Sequence, residues 1–339
     1  MKKVFLLVLL PLFSWGQYAS FSEDIVKLKY TNSIHIENLK KHIEILASDS
    51  LEGRETGETG QKMAAEYIAS CFKKAGIPPY KCKTYYQKFK VKSKGHFRQR
   101  IILKQKYIKG ENVLGFIEGT DLKDEILIIT AHYDHLGKKK ASIYNGADDN
   151  ASGTSAILEI ADAFMRAKKD SVGPRRSILI MAVSGEEKGL LGSKYYTENP
   201  VYPLEKTIAN LNVDMIGRVD ERHENGDYIY LIGSDRLSSE LHNISEEVNR
   251  KNFNLELDYT FNDKDDPNRY YYRSDHYNFA KNNIPVIFYF NGVHEDYHKP
   301  TDTIDNIDFK KMQKISRFIF LTAWELANRK ERPALNVLK

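Results

Sequence analysis

Beyond Gly110 the chain alternates between short, unbroken apolar runs and longer amphipathic stretches. The apolar runs cover 113–117, 126–131, 178–183, 208–213, 228–232 and 286–290. Helical periodicity places helices at about 153–168, 235–250, 274–281 and 306–328. Unbroken apolar strands that alternate with helices are typical of a sheet covered on both faces. The pattern therefore predicts a three-layer αβα fold of the α/β class, with a central mixed, mostly parallel sheet.

The preceding part of the chain combines two helical patterns with a strongly basic segment. Helices are predicted at about 36–49 and 58–75, and the second ends at Gly76 with two prolines just beyond. From Tyr80 to Gly110 there are eleven Lys and Arg residues and no Asp or Glu. Lysines alternate with apolar residues over 88–94, and Arg98–Lys106 would complete a hairpin. We expect these strands to lie antiparallel at one edge of the sheet.

The basic segment has two interpretations, a patch for nucleic acid or membrane lipid and a solvated sheet face. We favour the solvated face and expect no nucleic-acid partner, because 51 Lys and Arg are nearly balanced by 46 Asp and Glu. A content of 29% charged and 41% apolar residues excludes a disordered chain, a collagen and a disulfide-dense mini-protein. A chain of 339 residues also folds without help from a metal, so any metal ligands need a functional explanation.

The first 17 residues have the pattern of a secretory signal peptide. Lys2 and Lys3 precede the apolar run Val4–Phe13, which small residues follow. The alternative is an amphipathic or buried helix, but no polar face interrupts the run. No second run approaches the length of a membrane span, so we expect an exported protein in the periplasm or outside the cell. We also expect a monomer with one domain over 18–339.

Cys71 and Cys82 are the only cysteines, and export would permit a disulfide between them. Cys71 belongs to a helical pattern in which a buried free thiol is common, so both states stay open.

Four apolar runs end in polar residues that bind metals or move protons. The runs are followed by His132-Tyr133-Asp134-His135, by Ser184-Gly185-Glu186-Glu187, by Asp214, and by His294-Glu295-Asp296-Tyr297-His298. Because functional sites of open parallel sheets lie beyond the carboxyl ends of the strands, we expect these groups to converge. The turn Asn145–Gly153 adds Asp148 or Asp149, although an Asp-rich turn of this kind also caps helices.

The predicted donor set indicates the kind of metal. Imidazole and carboxylate without thiolate suit zinc, manganese or cobalt. Two His and three carboxylates exceed the needs of one tetrahedral catalytic zinc. They suit two ions about 3.5–4 Å apart that share a carboxylate, with a bridging hydroxide as nucleophile. Of the adjacent Glu186 and Glu187, one would ligate and the other relay protons.

Five sequence blocks occur in a fixed order: His-Tyr-Asp-His, Gly-Ala-Asp-Asp-Asn-Ala-Ser-Gly, Gly-Glu-Glu, Asn-Val-Asp-Met-Ile-Gly and Tyr-His-Lys-Pro-Thr-Asp-Thr. In this order they resemble the secreted di-zinc aminopeptidases of peptidase clan MH, family M twenty-eight. The stretches Leu46–Gly57 and Arg273–Tyr277 are also similar to that family. The resemblance implies a zinc-exopeptidase fold and a metallo-aminopeptidase that hydrolyses N-terminal residues from peptides with a free N-terminus. Two Zn²⁺ ions per chain would be the cofactors.

The resemblance also implies a role for each matching residue. The implied zinc ligands are His132, Asp149 (bridging), Glu187, Asp214 and His298. Glu186 would be the general base, Asp134 would orient His132, and Tyr297 would contact the scissile carbonyl oxygen, although simple packing is an alternative for Tyr297. Asp275 and His276 are candidates for the pocket rim, and we expect His135 and His294 to be bystanders.

The sequence departs from the family at one point, and two other functions are alternatives on the same scaffold. Many relatives insert a protease-associated domain where this chain has only the short basic segment. Glutaminyl cyclases, transferases with one working zinc, share several blocks but tend to have Trp where Tyr297 stands. Receptors on the same scaffold are not enzymes and lose ligands, whereas all five ligands and the base are present here.

Overall fold

The computed structural model describes residues 25–80, 83–92 and 107–337. The predicted signal peptide, the strand over Arg98–Lys106 and Cys82 lie outside the described residues, so these expectations stay predictions. Cys71 is a free, half-buried thiol in the described part of the chain. No helix among the described residues is long and apolar enough to cross a membrane.

A mixed sheet forms the centre of the molecule. Within the described residues it has eight strands, in the spatial order β1 (Tyr86–Lys92), β2 (Tyr107–Ile117), β6 (Arg176–Val183), β3 (Leu122–His132), β7 (Thr207–Val213), β10 (Val286–Phe290), β8 (Tyr228–Ile232) and β9 (Glu256–Asp258). The four inner strands β6, β3, β7 and β10 are parallel, whereas β1, β2 and β8 pair antiparallel with their inner neighbours. Strands β4 (Gly137–Lys139) and β5 (Ser142–Tyr144) form a separate ribbon.

Helices cover both faces of the sheet. They include α1 (Ile36–Leu46), α2 (Thr59–Ala75), α3 (Gly153–Lys169), α4 (Leu191–Glu198), α5 (Ser239–Asn252), α6 (His276–Ala280) and α7 (Phe309–Asn328). Alternate residues of β6 pack into two separate hydrophobic cores. Ile178, Ile180 and Ala182 belong to the core that α1, α2, α3, α5 and α7 cover. Leu179, Met181 and Val183 join the core beneath α4 and α6. This alternation confirms the predicted three-layer arrangement.

The helices and strands lie close to the positions predicted from the sequence. All six apolar runs are strands, and α2 ends at Gly76, whose left-handed φ of 83° lets the chain turn out of the helix. The basic segment provides the edge strand β1, which alternates between buried Phe89 and the exposed Lys88, Lys90 and Lys92. Its lysines therefore form a solvated face, as the sequence indicates.

Candidate metal centre and active site

The polar residues that follow the parallel strands converge at one end of the sheet. His132 is the last residue of β3, the strand between β6 and β7. Glu186 and Glu187 come just after β6, and Asp214 comes just after β7. The side chains therefore meet around His132, which confirms the predicted convergence. Asp149 reaches the same place from the turn before α3.

The first donor group consists of His132, Asp149 and Asp214. Nε2 of His132 lies 3.3 Å from Oδ1 of Asp149 and 3.2 Å from Oδ1 of Asp214. Ligands at about 2.0–2.2 Å from a tetrahedral zinc are separated by roughly 3.3–3.6 Å. The two separations from His132 are thus those of ligands of one zinc ion, and all three atoms lie within 4.8 Å of one another.

A second set of donors, Asp149, Glu187 and His298, uses the other oxygen of Asp149. Nε2 of His298 lies 3.2 Å from Oδ2 of Asp149 and 3.4 Å from Oε2 of Glu187. These separations again match the edges of a zinc tetrahedron. Asp149 therefore offers one oxygen to each group, which is the position of a bridging carboxylate.

His135 lies inside this centre, so the expectation that it is a bystander was wrong. It is buried, and it forms a donor group with Asp149 and Glu187. Its Nδ1 is 2.8 Å from Oε1 of Glu187. The sequence does not predict this position of His135. The side chain follows His132 by three residues, but the turn after β3 determines its direction.

Asp134 contacts His132 differently from the predicted arrangement. Nδ1 of His132 is 3.1 Å from the main-chain carbonyl oxygen of Asp134, whereas the nearer carboxylate oxygen is 3.8 Å away. The carboxylate instead accepts a hydrogen bond from the Thr56 hydroxyl at 2.7 Å and one from the Glu186 N–H at 3.3 Å. Asp134 thus holds the imidazole through its backbone and the loop of Glu186 through its side chain.

Glu186 and Tyr297 line the pocket that contains His132, Asp149 and Asp214. Burial raises the pKa of Glu186 well above its usual range; nearby His132 opposes this rise and Glu187 adds to it. Burial also raises the pKa of Tyr297, so that its hydroxyl keeps its proton. The Tyr297 ring stacks on His298 with the ring centres 3.9 Å apart. Tyr297 thus packs against His298 and faces the pocket as well.

The Arg273–Tyr277 segment supports the first donor group from outside. The hydroxyl of Ser274 donates to Oδ2 of Asp214 at 2.7 Å and accepts from the Asn212 amide at 2.8 Å. Asp275 accepts a hydrogen bond from Ser193, and burial raises its pKa to about 7. His276 packs against Phe288, with ring centres 4.7 Å apart. Neither Asp275 nor His276 belongs to a donor group of the described residues.

Asp148 has a structural role, which separates it from its neighbour Asp149. It accepts the Gly217 N–H at 2.7 Å, and its other oxygen is 3.2 Å from Nε2 of His294. His294 therefore lies outside both donor groups, as the sequence indicates.

Two buried residues that position the centre were not singled out from the sequence. Asp302 accepts the main-chain N–H groups of Asp148 and Asp149, at 3.0 Å and 3.1 Å. Arg54 donates to the carbonyl oxygens of Tyr133 and Gly146 at 2.7 Å and 3.0 Å. Both residues lie in sequence blocks that resemble the family. That resemblance is the signal from which their role could have been predicted.

One wall of the pocket is apolar. It is formed by Met215, Phe288, Phe290 and Val293, together with the ring of Tyr270. Of the three adjacent tyrosines, Tyr270 is buried at this wall and Tyr272 is exposed. The pocket therefore combines a side of His and carboxylate donors with a wall suited to an apolar group.

Taken together, the fold and site define an α/β protein with two joined His/carboxylate donor groups at the carboxyl end of a parallel sheet. The model of Peptidase family M28 matches residues 112–323, which is more than half of the chain. The chain belongs to this family.

Known proteins with similar sequence or structure include several aminopeptidases. Aminopeptidase YwaD of Bacillus subtilis is 26% identical over 231 residues, 66% of this chain and 46% of YwaD. The LapA aminopeptidase of Legionella pneumophila has a TM-score of 0.69 at 22% identity, covering 91% of this chain and 76% of LapA. BSAP, a zinc aminopeptidase from Bacillus subtilis, has a TM-score of 0.68 at 18% identity, covering 88% of this chain and 97% of BSAP. The chain spans about half the length of the curated relatives it matches.

Proposed function

We propose that this protein is a zinc-dependent aminopeptidase that binds two zinc ions and removes N-terminal residues from peptides. The observation that carries the proposal is the geometry of Asp149, whose two oxygens each join a group of donors spaced like zinc ligands. His132 and Asp214 would complete the ligands of one ion, and Glu187 and His298 those of the other. The similarity to aminopeptidases supports the same reaction class.

Zinc would supply Lewis acidity, which polarises a carbonyl group and makes water a stronger acid. Glu186 faces the pocket and would take the proton of the attacking water and pass it to the leaving amine. Asp134 holds the loop of Glu186 through the N–H contact. Tyr297, whose hydroxyl keeps its proton, would donate to the scissile carbonyl oxygen as negative charge develops there.

The substrate preference follows from the same pocket. Its carboxylates would attract the positive free amine of a peptide, which favours cleavage at the N-terminus. The apolar wall of Met215, Phe288 and Phe290 would receive the first side chain of the substrate. We therefore expect a preference for apolar N-terminal residues.

The Glu186→Gln variant tests the assignment of the base. We expect kcat to fall at least 10²-fold, because general acid–base catalysis contributes about 10²–10⁴-fold. The zinc content, measured by atomic emission, should stay at two per chain, since the variant removes no ligand. Activity within tenfold of the parent would show that Glu186 is not the base.

A substrate panel tests the reaction class. Leucyl, lysyl and aspartyl anilides, N-acetyl-leucyl anilide and an N-terminal glutaminyl peptide would be assayed with and without a chelator. We expect leucyl anilide to be cleaved at least tenfold faster than the charged anilides, and acetylation or chelation to abolish cleavage. Cyclisation of the glutaminyl peptide by a protein with one zinc would instead establish the cyclase alternative.

Export and oligomeric state belong to the same proposal. Cleavage after the predicted signal peptide over 1–17 would place the enzyme in the periplasm or outside the cell. There a single domain over 18–339 would act as a monomer on peptides.

A further inference from the structure

Arg273 is the one arginine or lysine among the described residues that line the active-site pocket. The donor side of this pocket consists of one histidine and three carboxylates. Arg273 is exposed, whereas Met215, Phe288 and Phe290 of the apolar wall are at most 3% exposed. The arginine therefore lies at the mouth of the pocket, and the apolar wall lies inside it.

The fold fixes the main chain of Arg273 beside the donors. Its N–H donates to the carbonyl oxygen of Tyr270 at 3.0 Å, which closes the short turn before α6. The next residue, Ser274, donates to Oδ2 of Asp214 at 2.7 Å, and the other oxygen of Asp214 is 3.2 Å from Nε2 of His132. A peptide advances about 3.3–3.6 Å per residue. The arginine is therefore within one or two substrate residues of a scissile bond held at these donors.

The guanidinium packs on an aromatic ring and not on a carboxylate. Its central carbon lies 4.8 Å from the ring centre of Tyr270, a distance typical of a cation–π contact. No carboxylate of the described residues forms an ion pair with it. Burial raises the pKa of Tyr297 and the charge of Arg273 opposes this rise, so the guanidinium is within electrostatic reach of the Tyr297 hydroxyl. A planar, permanently charged group is thus available at the mouth of the pocket.

The position of this charge indicates which part of a peptide it meets. In the proposed function the free amine lies against the carboxylates and the first side chain lies against the apolar wall. Both of these places are inside the pocket, so the chain after the scissile bond leaves through the mouth, past Arg273. A guanidinium binds a carboxylate through two parallel hydrogen bonds, which a neutral amide cannot match.

We propose that Arg273 is a specificity-determining residue that binds a carboxylate on the residue following the scissile bond. The inference rests on the proposed aminopeptidase function. Two kinds of substrate supply this group. A dipeptide offers its C-terminal carboxylate, and a longer peptide with Asp or Glu in second position offers a side-chain carboxylate.

Two pairs of substrates isolate the carboxylate and distinguish its sources. Leucyl-alanine and its C-terminal amide differ in the terminal carboxylate, whereas the amides of leucyl-glutamate and leucyl-glutamine differ in the side chain. Values of kcat/KM for the full, zinc-loaded chain would be obtained from the release of leucine.

Three variants accompany the substrates. Arg273→Gln removes the charge, and Arg273→Lys keeps the charge but loses the planar pair of donors. Arg269→Gln is the matched control, because Arg269 is exposed, lies over the ring of Tyr272 at 4.9 Å and does not line the pocket.

We expect the parent to cleave the acid of at least one pair about 10–100-fold faster than its partner, as measured by kcat/KM, since hydrogen bonds to charged groups have effects of this size. The pair that shows the preference identifies the source of the carboxylate. Arg273→Gln should remove most of the preference, Arg273→Lys should keep part of it, and Arg269→Gln should match the parent. Partial unfolding of a variant does not change this ratio, because the same preparation cleaves both members of a pair.

Several outcomes would overturn the proposal. A parent without preference for either carboxylate would do so, as would a preference that persists in Arg273→Gln. A preference for glutamyl over glutaminyl anilide that Arg273→Gln removes would also overturn it, because the cation would then face the first side chain. A parent that releases no leucine from any of the four substrates would instead refute the proposed aminopeptidase function.

Discussion

Asp149 shows how much of the site depends on single oxygen atoms. One oxygen lies beside His132 and the other beside His298, while its main-chain N–H is held by Asp302. The neighbouring Asp148 has the same charge but bonds to Gly217 and lies next to His294. The sequence leaves the two aspartates open, and only the family resemblance favours Asp149. The side-chain directions around the turn decide between them.

The carboxylate of Asp134 should matter more for turnover than for metal binding. Its backbone carbonyl holds His132, and a substitution of the side chain leaves this carbonyl in place. We therefore expect Asp134→Asn to keep the zinc content of the parent and to lower kcat about tenfold or more, because the Glu186 loop loses its charged acceptor. Kinetics and zinc analysis of the same preparation check this.

Thr56→Val gives the comparison for this prediction. It removes the hydroxyl that donates to Asp134 but leaves the contact with Glu186, so its effect on kcat should be the smaller of the two. A lower zinc content in Asp134→Asn than in the parent would contradict the division of roles between carbonyl and carboxylate.

At the scale of elements, strands were easier to predict than the loops that join them. A short apolar run predicts a strand whatever its position in the sheet. The strands β3, β6 and β7 could therefore be predicted from local sequence. Their carboxyl ends then met at the predicted edge, because parallel strands bring these ends together. The loops depend on contacts such as those of Arg54, which join segments far apart in the chain.

Arg54 ties three segments around the metal centre. The fully buried guanidinium donates to carbonyl oxygens of Leu46, Tyr133, Asn145 and Gly146. Burial lowers its pKa to about 10, which leaves it charged at neutral pH, and nearby carboxylates oppose this lowering. We expect Arg54→Lys to lower the free energy of unfolding by about 2–4 kcal/mol, since an ammonium group cannot reach all four acceptors.

Urea denaturation of parent and variant measures this loss. Arg166→Lys is the control, because its ion pair with Asp162 lies on an exposed helix face, where such pairs contribute less than about 1 kcal/mol. Similar stability of the two variants would show that the Arg54 contacts are not needed for the fold.

At the scale of the molecule, a polar cluster joins three helices on the face of the sheet that carries α1, α2 and α3. His42 lies 2.7 Å from the Tyr67 hydroxyl and 3.2 Å from Glu159, whose other oxygen accepts from Asn38. Burial lowers the pKa of His42, but the contacts with Cys71 and Glu159 outweigh burial and raise the pKa to about 9. The charged imidazolium therefore helps to hold the layer together.

The cluster makes global stability depend on pH. The pKa of His42 is higher in the folded chain than in the unfolded chain, so its contribution is fully present below about pH 6.5 and is lost as the pH rises through about 9. The free energy of unfolding should fall by up to about 3 kcal/mol over this interval. Urea denaturation at pH 6 and pH 9.5 tests this, with His42→Gln as the variant that should lose most of the pH dependence. An unchanged dependence in His42→Gln would exclude His42 as its source.

The sequence by itself determined the layers, the inner strands and the edge at which His132, Glu186 and Asp214 meet. These features follow from hydrophobic periodicity and from the direction of parallel strands, which act over a few residues at a time. Only the tertiary structure placed His135 beside Glu187 and gave His132 a backbone partner. Such contacts join side chains and carbonyl groups of loops from different parts of the chain. Their geometry depends on how the loops pack after the sheet has formed.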